Sequence, residues 1–443
     1  MSRWLRRFAA ATLCLAVGWV LWFSVVRGRA EQRAHSGLFL GAAPLVGRDS
    51  SDGWIWRFGW GLVGAIVLAG LVVASCWGGW WWRLRQRWVI GLAAAGAASF
   101  AVLLALTDGL DGLRYGAQHK SEYLANLRNA PPAAEFLRTF VTRIERYSVH
   151  VRGHPPGYVL FLKAADAVGL GGVWPVVAFS IAGTATVAGA VLLTVRSVAG
   201  EEWMRRSAPF LIVAPYSIWM MTSADAVFAS VGALGVAAVA AGIGRSRRQA
   251  WWCGVAAGLL LGGLLFLTYL GAVLLVLPGL LLLVGVWQRR GGTWLVVAGG
   301  AAAALFVVGS FWWAGFWWFD GVAATDREYR LGTAQFRSWS YFKFGNLGAA
   351  LFALGPSTVV GLAALRHRRM WLLVGATLSA LAISHLSQYT KGEVERIWLL
   401  FFPWIAIAGG ALAIRSRRGL TAIAVGVQAA CAVVLQAALV TKW

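Results

Sequence analysis

The sequence predicts an all-α polytopic membrane protein: a bundle of about 13 transmembrane helices with amphipathic helices on its outer face. Three observations carry that expectation. Hydrophobic residues make up 59% of the 443 positions, charged residues only 13%, and the mean hydropathy is +0.67. No soluble domain can hide that much apolar surface within itself, so lipid must be part of the solvent. Apolar runs of about 18 residues or more recur along the chain, each long enough to cross a hydrocarbon core of roughly 30 Å as a helix. Finally, the cations fall in short clusters between those runs.

Lysine and arginine number 40 against 17 aspartates and glutamates, a formal charge of +23. Spread over a soluble surface, such a charge would suggest nucleic acid. Here it is placed as Arg3, Arg6 and Arg7; Arg83, Arg85 and Arg87; Arg205 and Arg206; Arg245, Arg247 and Arg248; Arg289 and Arg290; Arg366, Arg368 and Arg369; and Arg415, Arg417 and Arg418. Short basic loops mark the cytoplasmic side of a membrane protein and touch anionic headgroups, so membrane lipids are the expected partner and nucleic acid is not.

The first expected span, 8–26, follows three arginines as a signal peptide would. No clear small-residue cleavage site closes it and further spans follow, so it reads as retained. The next are 56–80 and 88–107, then 174–195, 207–221, 226–243, 251–267, 271–287, 293–313, 346–364, 370–386, 397–414 and 419–440. Residues 1–87 form an N-terminal hairpin in this reading and 88–443 the core. With the N-terminus inside, every basic cluster above lies in the cytoplasm. The loop 27–55 dissents, because it falls outside yet carries Arg27, Arg29, Arg33 and Arg48. Cys14, Cys76, Cys253 and Cys431 sit in apolar runs without paired spacing and read as small buried hydrophobes. The tryptophan runs "GWWWR" and "FWWAGFWWFDG" read mainly as interfacial belts, although those beside Asp320 have the chemistry to stack on a sugar.

The same sign pattern decides the segment Pro156–Leu170. Were it a crossing, every later basic cluster would move to the other face. It is short, carries Lys163 and Asp166, and ends in "GLGG", so it is expected to lie at the outer interface, with Pro155 and Pro156 marking its start.

Most remaining acids gather in the outer loops. The long loop 108–173 opens with "TDGLDGL", placing Asp108 and Asp111 just past a span, and runs through two amphipathic helices, "SEYLANL" and "AAEFLRTFVTRIERY". Asp225 lies in the short turn "TSADAVFA", Arg337 in loop 314–345, and Lys391, Glu393, Glu395 and Arg396 in "YTKGEVERIWL". Charges at membrane depth cost roughly 2.5–3.5 kcal/mol each on insertion scales, so their collection at one face calls for a reason. Some have a structural one: Asp225 and Glu395 suit helix starts, Arg396 suits pairing with Glu393 or Glu395, and Asp111, Glu122 and Glu328 read as plain loop residues. His150 and His154 have the spacing of a metal pair, but Gly153 and Pro155 argue against the continuous helix that spacing needs.

These motifs carry a resemblance. An acid after an early span, a long outer loop closed by "GHPPG", then "TSADAVFA", "NLGAALFALGP" and "KGEVERIW" are together similar to integral membrane glycosyltransferases of the GT-C superfamily, of the type found in actinobacteria, over about residues 88–415. The resemblance implies a polyprenyl-phosphate-sugar donor, a glycan, lipid or protein acceptor, and an active site on the outer face of the cell membrane. Residue by residue it implies Asp108 as the base that deprotonates the acceptor hydroxyl, with inversion at the anomeric carbon, Asp225 as the second acid, and His154 as the first position of the "HPP" motif. Because the lipid phosphate leaves as an anion, Arg152, Arg337, Lys391 and Arg396 are the candidate cations. Glu393 and Glu395 complete the expected substrate-binding set. Asp108 and Asp111 stand three apart rather than in a tight acid pair, which leaves metal dependence open. The competing expectation is a transporter or flippase of lipid-linked saccharides, for which inverted repeats and broken midplane helices would speak.

Overall fold

The computed structural model describes residues 3–34, 55–127 and 129–439, and among them every regular element is helical. The part of loop 27–55 that carries Arg48 lies outside the described residues. Chain order is α1 (Arg3–Ala34), α2 (Trp60–Gly78) and α3 (Gln86–Ala105), which turns through Leu106–Asp108 into α4 (Gly109–Gln118). A short-helix region follows: α5 (Leu124–Leu127), α6 (Ala133–Thr139), α7 (Val149–Arg152) and α8 (Gly157–Ala167). The chain re-enters the bundle as α9 (Val173–Ala199) and α10 (Glu201–Ile212), then α11 (Asp225–Gly242), α12 (Arg247–Leu267), α13 (Gly271–Leu274), α14 (Val276–Trp287) and α15 (Thr293–Trp313). After α16 (Trp318–Leu331) come α17 (Trp339–Leu354), α18 (Pro356–Ala364), α19 (Arg368–Leu386), α20 (Val394–Ile397), α21 (Phe402–Ala406) and α22 (Arg418–Ala438).

Among the described residues, eight helical segments are long and apolar enough to cross a membrane, or ten if each of two bent pairs counts as one span. This is a multi-pass membrane protein. The expected span 207–221 is not a single helix: α10 is 12 residues long, holds Pro209, and gives way at Val213–Ala214 to a 3-10 turn begun by Pro215. Two prolines so close remove the donors a continuous ladder needs. The expected span 271–287 is likewise divided, at Leu275. The expected span 346–364 bends by 93° at Gly355–Pro356, and 397–414 bends by 78° at Phe401.

A broken helix inside a bundle must satisfy its freed backbone groups from elsewhere. At the 93° bend Gln428 of α22 does so. Its Nε2 donates to the carbonyl of Leu354 at 2.7 Å, and its Oε1 accepts from the amide of Ser357 at 3.0 Å. Close packing does the same work elsewhere. Gly254, Gly258 and Gly262 form a one-sided stripe on α12, where a Cβ at Gly258 would stand 2.2 Å from the carbonyl oxygen of Gly300 on α15. Small residues let such helices approach where no hydrophobic force drives them together.

The two ends of the bundle differ in charge. Arg205 donates to the carbonyl of Trp81, Arg415 lies over the Trp82 ring, and Trp203 packs on His367, so the basic clusters of four connections share one end. The acids expected at outer span ends collect at the other. Between 118 and 173 no helix is long enough to cross: α8 has 11 residues, and Lys163 on it donates to the carbonyl of Ala130. The two N-terminal helices take different neighbours. The first packs mainly on α17, the second on α22 and α3.

Candidate functional site

Arg396 is the centre of the polar end. It leads out of α20 with its side chain 5% exposed. One Nη donates to Asp225 at 3.3 Å, the other to Glu393 at 3.0 Å, and the second also stands 3.2 Å from Nε2 of His150. Glu122 closes the group, 2.6 Å from His150 Nδ1 and 4.0 Å from Arg396. A guanidinium offers five donors in a rigid fork, which suits a centre shared by several carboxylates.

Each partner is delivered by a local device. Asp225 begins the 18-residue α11, where the helix dipole favours an anion, and the hydroxyl of Ser223 donates to its carboxylate. His150 is on α7, the short helix before "GHPPG". Glu393 has φ 59°, a left-handed conformation that costs a non-glycine residue roughly 1–2 kcal/mol. Asn346 fixes the turn there, donating to the carbonyl of Thr390 at 2.6 Å and accepting from the amide of Gly392 at 3.0 Å. Burial opposes the charge of Glu393, but Arg337 at 3.2 Å together with Arg396 outweighs it and holds the carboxyl down at about 2.

His154 sits beside this group rather than in it. Its Nδ1 stands 2.8 Å from the carbonyl of His150, and its ring packs on Tyr123 and Phe228. Burial lowers its pKa to about 4, so the imidazole is neutral at physiological pH. The two histidines do not converge on one point, and α7 ends at Arg152. Among the described residues no three His, Cys, Asp or Glu side chains come together as metal ligands, and Arg396 already supplies the positive charge that Asp225, Glu393 and Glu122 share. The side chains present do not fit a divalent ion.

The remaining expected cations are also engaged. Arg152 pairs with Glu328 at 2.9 Å, Arg337 donates to the carbonyl of Lys391 at 2.6 Å, and Lys391 Nζ donates to the carbonyl of Ala334 at 2.9 Å. Lys391 meets no carboxylate at ion-pair distance among the described residues, and burial with Arg337 and Arg330 nearby lowers its pKa. Glu395 is fully buried, and among the described residues its carboxylate finds no hydrogen-bond partner beyond its own backbone.

Asp108 lies apart from Arg396, on the wall of a cavity of about 260 Å³. Its carboxylate pairs with Arg57. Tyr115, Trp219, Met221 and Thr222 also line the space. The turn that carries Asp225 thus touches the cavity that Asp108 faces: a Cβ at Gly116 would lie 1.9 Å from the carbonyl oxygen of Thr222. Asp111, expected as a plain loop residue, lies in the first turn of α4 and also lines this cavity; it pairs with Arg114 at 2.5 Å and is 81% exposed. Asp320 is exposed at the start of α16.

Two expectations need correction. Glu122 is 4% exposed and bound into the Arg396 group, and Glu328 holds Arg152, so neither is a plain loop residue. Sequence reasoning missed Arg57, Asn346 and Trp219 altogether. For Asn346 a signal existed, since an amide side chain at the mouth of an apolar span needs partners. A scan of the chain against protein-family models matches none of them, and no curated protein shows significant similarity.

Proposed function

We propose that this chain is a membrane glycosyltransferase of the GT-C kind, taking a sugar from a polyprenyl-phosphate donor to an acceptor hydroxyl at the outer face of the cell membrane. The observation that carries the reading is the placement of Asp108 on the wall of a cavity that Met221 and Thr222, in the turn leading to Asp225, also line. The quoted motifs supply the rest of the support. In this reading α1, the divided crossing 201–219 and Gly271–Trp287 join the ten spans above to give 13. Asp108 accepts the hydroxyl proton, and Lys391, the expected cation not matched to a carboxylate among the described residues, is the candidate for the leaving phosphate although it does not line the cavity of Asp108. The Arg396 group, with Asp225 and Glu393, holds the loop over the site. His154, neutral, stays a packing residue held to the carbonyl of His150 beside Tyr123 and Phe228.

Transfer assays with membranes and a panel of labelled polyprenyl-phosphate hexoses and pentoses test this. Transfer from one donor that Asp108→Asn abolishes supports it.

One observation favours a transporter of lipid-linked saccharides: crossings at 201–219, 339–364 and 394–412 are all broken. Against it, the break at Gly355 is filled by Gln428 rather than by a polar cavity. Movement of a labelled lipid-linked sugar across proteoliposomes, with no transfer, would favour the transporter.

A further inference from the structure

Arg57 belongs to none of the motifs. It precedes α2, in the N-terminal region outside the stretch that resembles the transferases. Yet it spans the edge of the cavity. One Nη pairs with Asp108, while the other donates to the carbonyls of Gln436 and Leu439, both at 2.7 Å. Its backbone amide donates to the carbonyl of Ala437, also at 2.7 Å. A helix C-terminus leaves carbonyls without partners, and the end of α22 gives these to Arg57. The chain just beyond is keyed to the turn that bears Asp108. A Cβ at Gly59 would stand 2.2 Å from the carbonyl oxygen of Thr107.

The geometry points to Arg57 as the positioning residue for Asp108, which makes the N-terminal region a working wall of the site rather than an appendage. The fork fixes one carboxylate oxygen of Asp108 against the end of α22. The other oxygen makes no hydrogen bond among the described residues, and Asp108 lines the cavity where a hydroxyl would be received. Lysine carries the charge but cannot hold two carbonyls and a carboxylate in one plane. Arg57 does not touch the reacting atoms; it acts through Asp108. The inference rests on the transferase reading of Asp108.

Its test compares Arg57→Ala, Arg57→Lys, Asp108→Asn and the Arg57→Ala/Asp108→Asn double variant in full-length protein in membranes. Arg57→Ala should lower kcat about 10-fold or more, with KM for the lipid donor changed less than about 2-fold. Arg57→Lys should recover little of that loss, and it gives the same reading should the alanine variant fail to accumulate. The double variant should be no slower than Asp108→Asn alone, because the two act as a unit. Additive losses, a loss confined to KM, or full activity in Arg57→Lys would overturn the inference.

A second measurement separates this outcome from failure of the transferase reading. In protein lacking its native cysteines, Tyr115→Cys on the cavity wall should react several-fold faster with a small maleimide once Arg57→Ala removes the clamp. If no donor supports transfer, the transferase reading falls, and an unchanged labelling rate would then remove the clamp as well.

Discussion

Arg396 and Asp225 are separated by 171 residues in sequence and by 3.3 Å in the fold. The pair joins the first residue of α11 to α20, and Glu393, Glu122 and His150 share the same guanidinium. Arg337 still pairs with Glu393 when Arg396 is removed, but Asp225 and Glu122 lose the guanidinium they share in a desolvated place, which typically costs about 3–5 kcal/mol, far more than the intact pair contributes. Arg396→Ala should therefore lower the thermal midpoint in detergent and the amount of inserted protein. Arg396→Met combined with Glu393→Gln should recover part of that loss. A stable Arg396→Ala protein with weakened use of a lipid donor alone would instead place Arg396 on the phosphate.

His154 gives the protein a pH dependence whose sign can be worked out. Its folded pKa, lowered by burial to about 4, lies below the ordinary 6.5, so the unfolded chain binds the proton more readily. The stability that depends on neutral His154 is complete above pH 6.5 and is lost as pH falls from 6.5 toward 4. Glu393 acts lower. Its pKa near 2 means that its contribution is complete above the ordinary 4.5 and is lost between 4.5 and 2. Unfolding midpoints measured from pH 7 to 4.5 should fall in the parent and fall less in His154→Gln. Equal slopes would assign that window to other groups.

Packing of α12 on α15 sets a third expectation. Gly258→Val pushes a side chain against the Gly300 carbonyl and should destabilise by about 1–3 kcal/mol, the usual cost of overpacking. Gly263→Ala, on the same helix with nothing within 4 Å of the added carbon, should be neutral or slightly stabilising. Comparable losses in both would mean that the two helices meet on another face.

What was legible in the sequence was whatever one residue declares by itself. Arginine clusters placed the ends of the bundle, and the parity they impose kept α8 out of the membrane count. Asp225, Glu393 and Arg396 were visible as charges beside apolar runs. Their convergence was not, because nothing local relates positions 122, 150, 225 and 396. Glu122 was misread because its segment looks like a surface helix, and only the fold shows His150 above it. The broken crossings left signals in Pro209, Pro215, Pro356 and Pro403, but hydropathy averages over a proline and still reports one span.

Sidedness follows from the same charge pattern. In a cysteine-free background, Val168→Cys after α8 should react with an impermeant maleimide added to intact cells, since that side chain is 73% exposed and lies at the acidic end. Gln249→Cys, beside Arg247 and Arg248, should react only after the cells are opened. The reverse pattern would invert the bundle and put the cavity on the inside.

Asp108 carries the proposed chemistry and its neighbour supplies the control. Both acids flank Gly109 and Leu110 on one turn and both line the cavity, but Asp108 is 38% exposed with Arg57 on one oxygen, whereas Asp111 is 81% exposed and paired to Arg114. Asp108→Asn keeps the shape and removes the proton acceptor, so transfer should drop by a factor on the order of 10² or more. It also weakens the pairing with Arg57, a loss that should cost the fold little because Arg57 keeps its bonds to Gln436 and Leu439. The variant should therefore insert normally, and its thermal midpoint should stay close to the parent's. Asp111→Asn loses only a solvent-exposed pair, generally worth less than about 1 kcal/mol, and transfer should stay within about 2-fold of the parent. Parent-rate transfer by Asp108→Asn in the same membranes would move the base elsewhere, and Asp225, across the Thr222 turn, would be the next residue to replace.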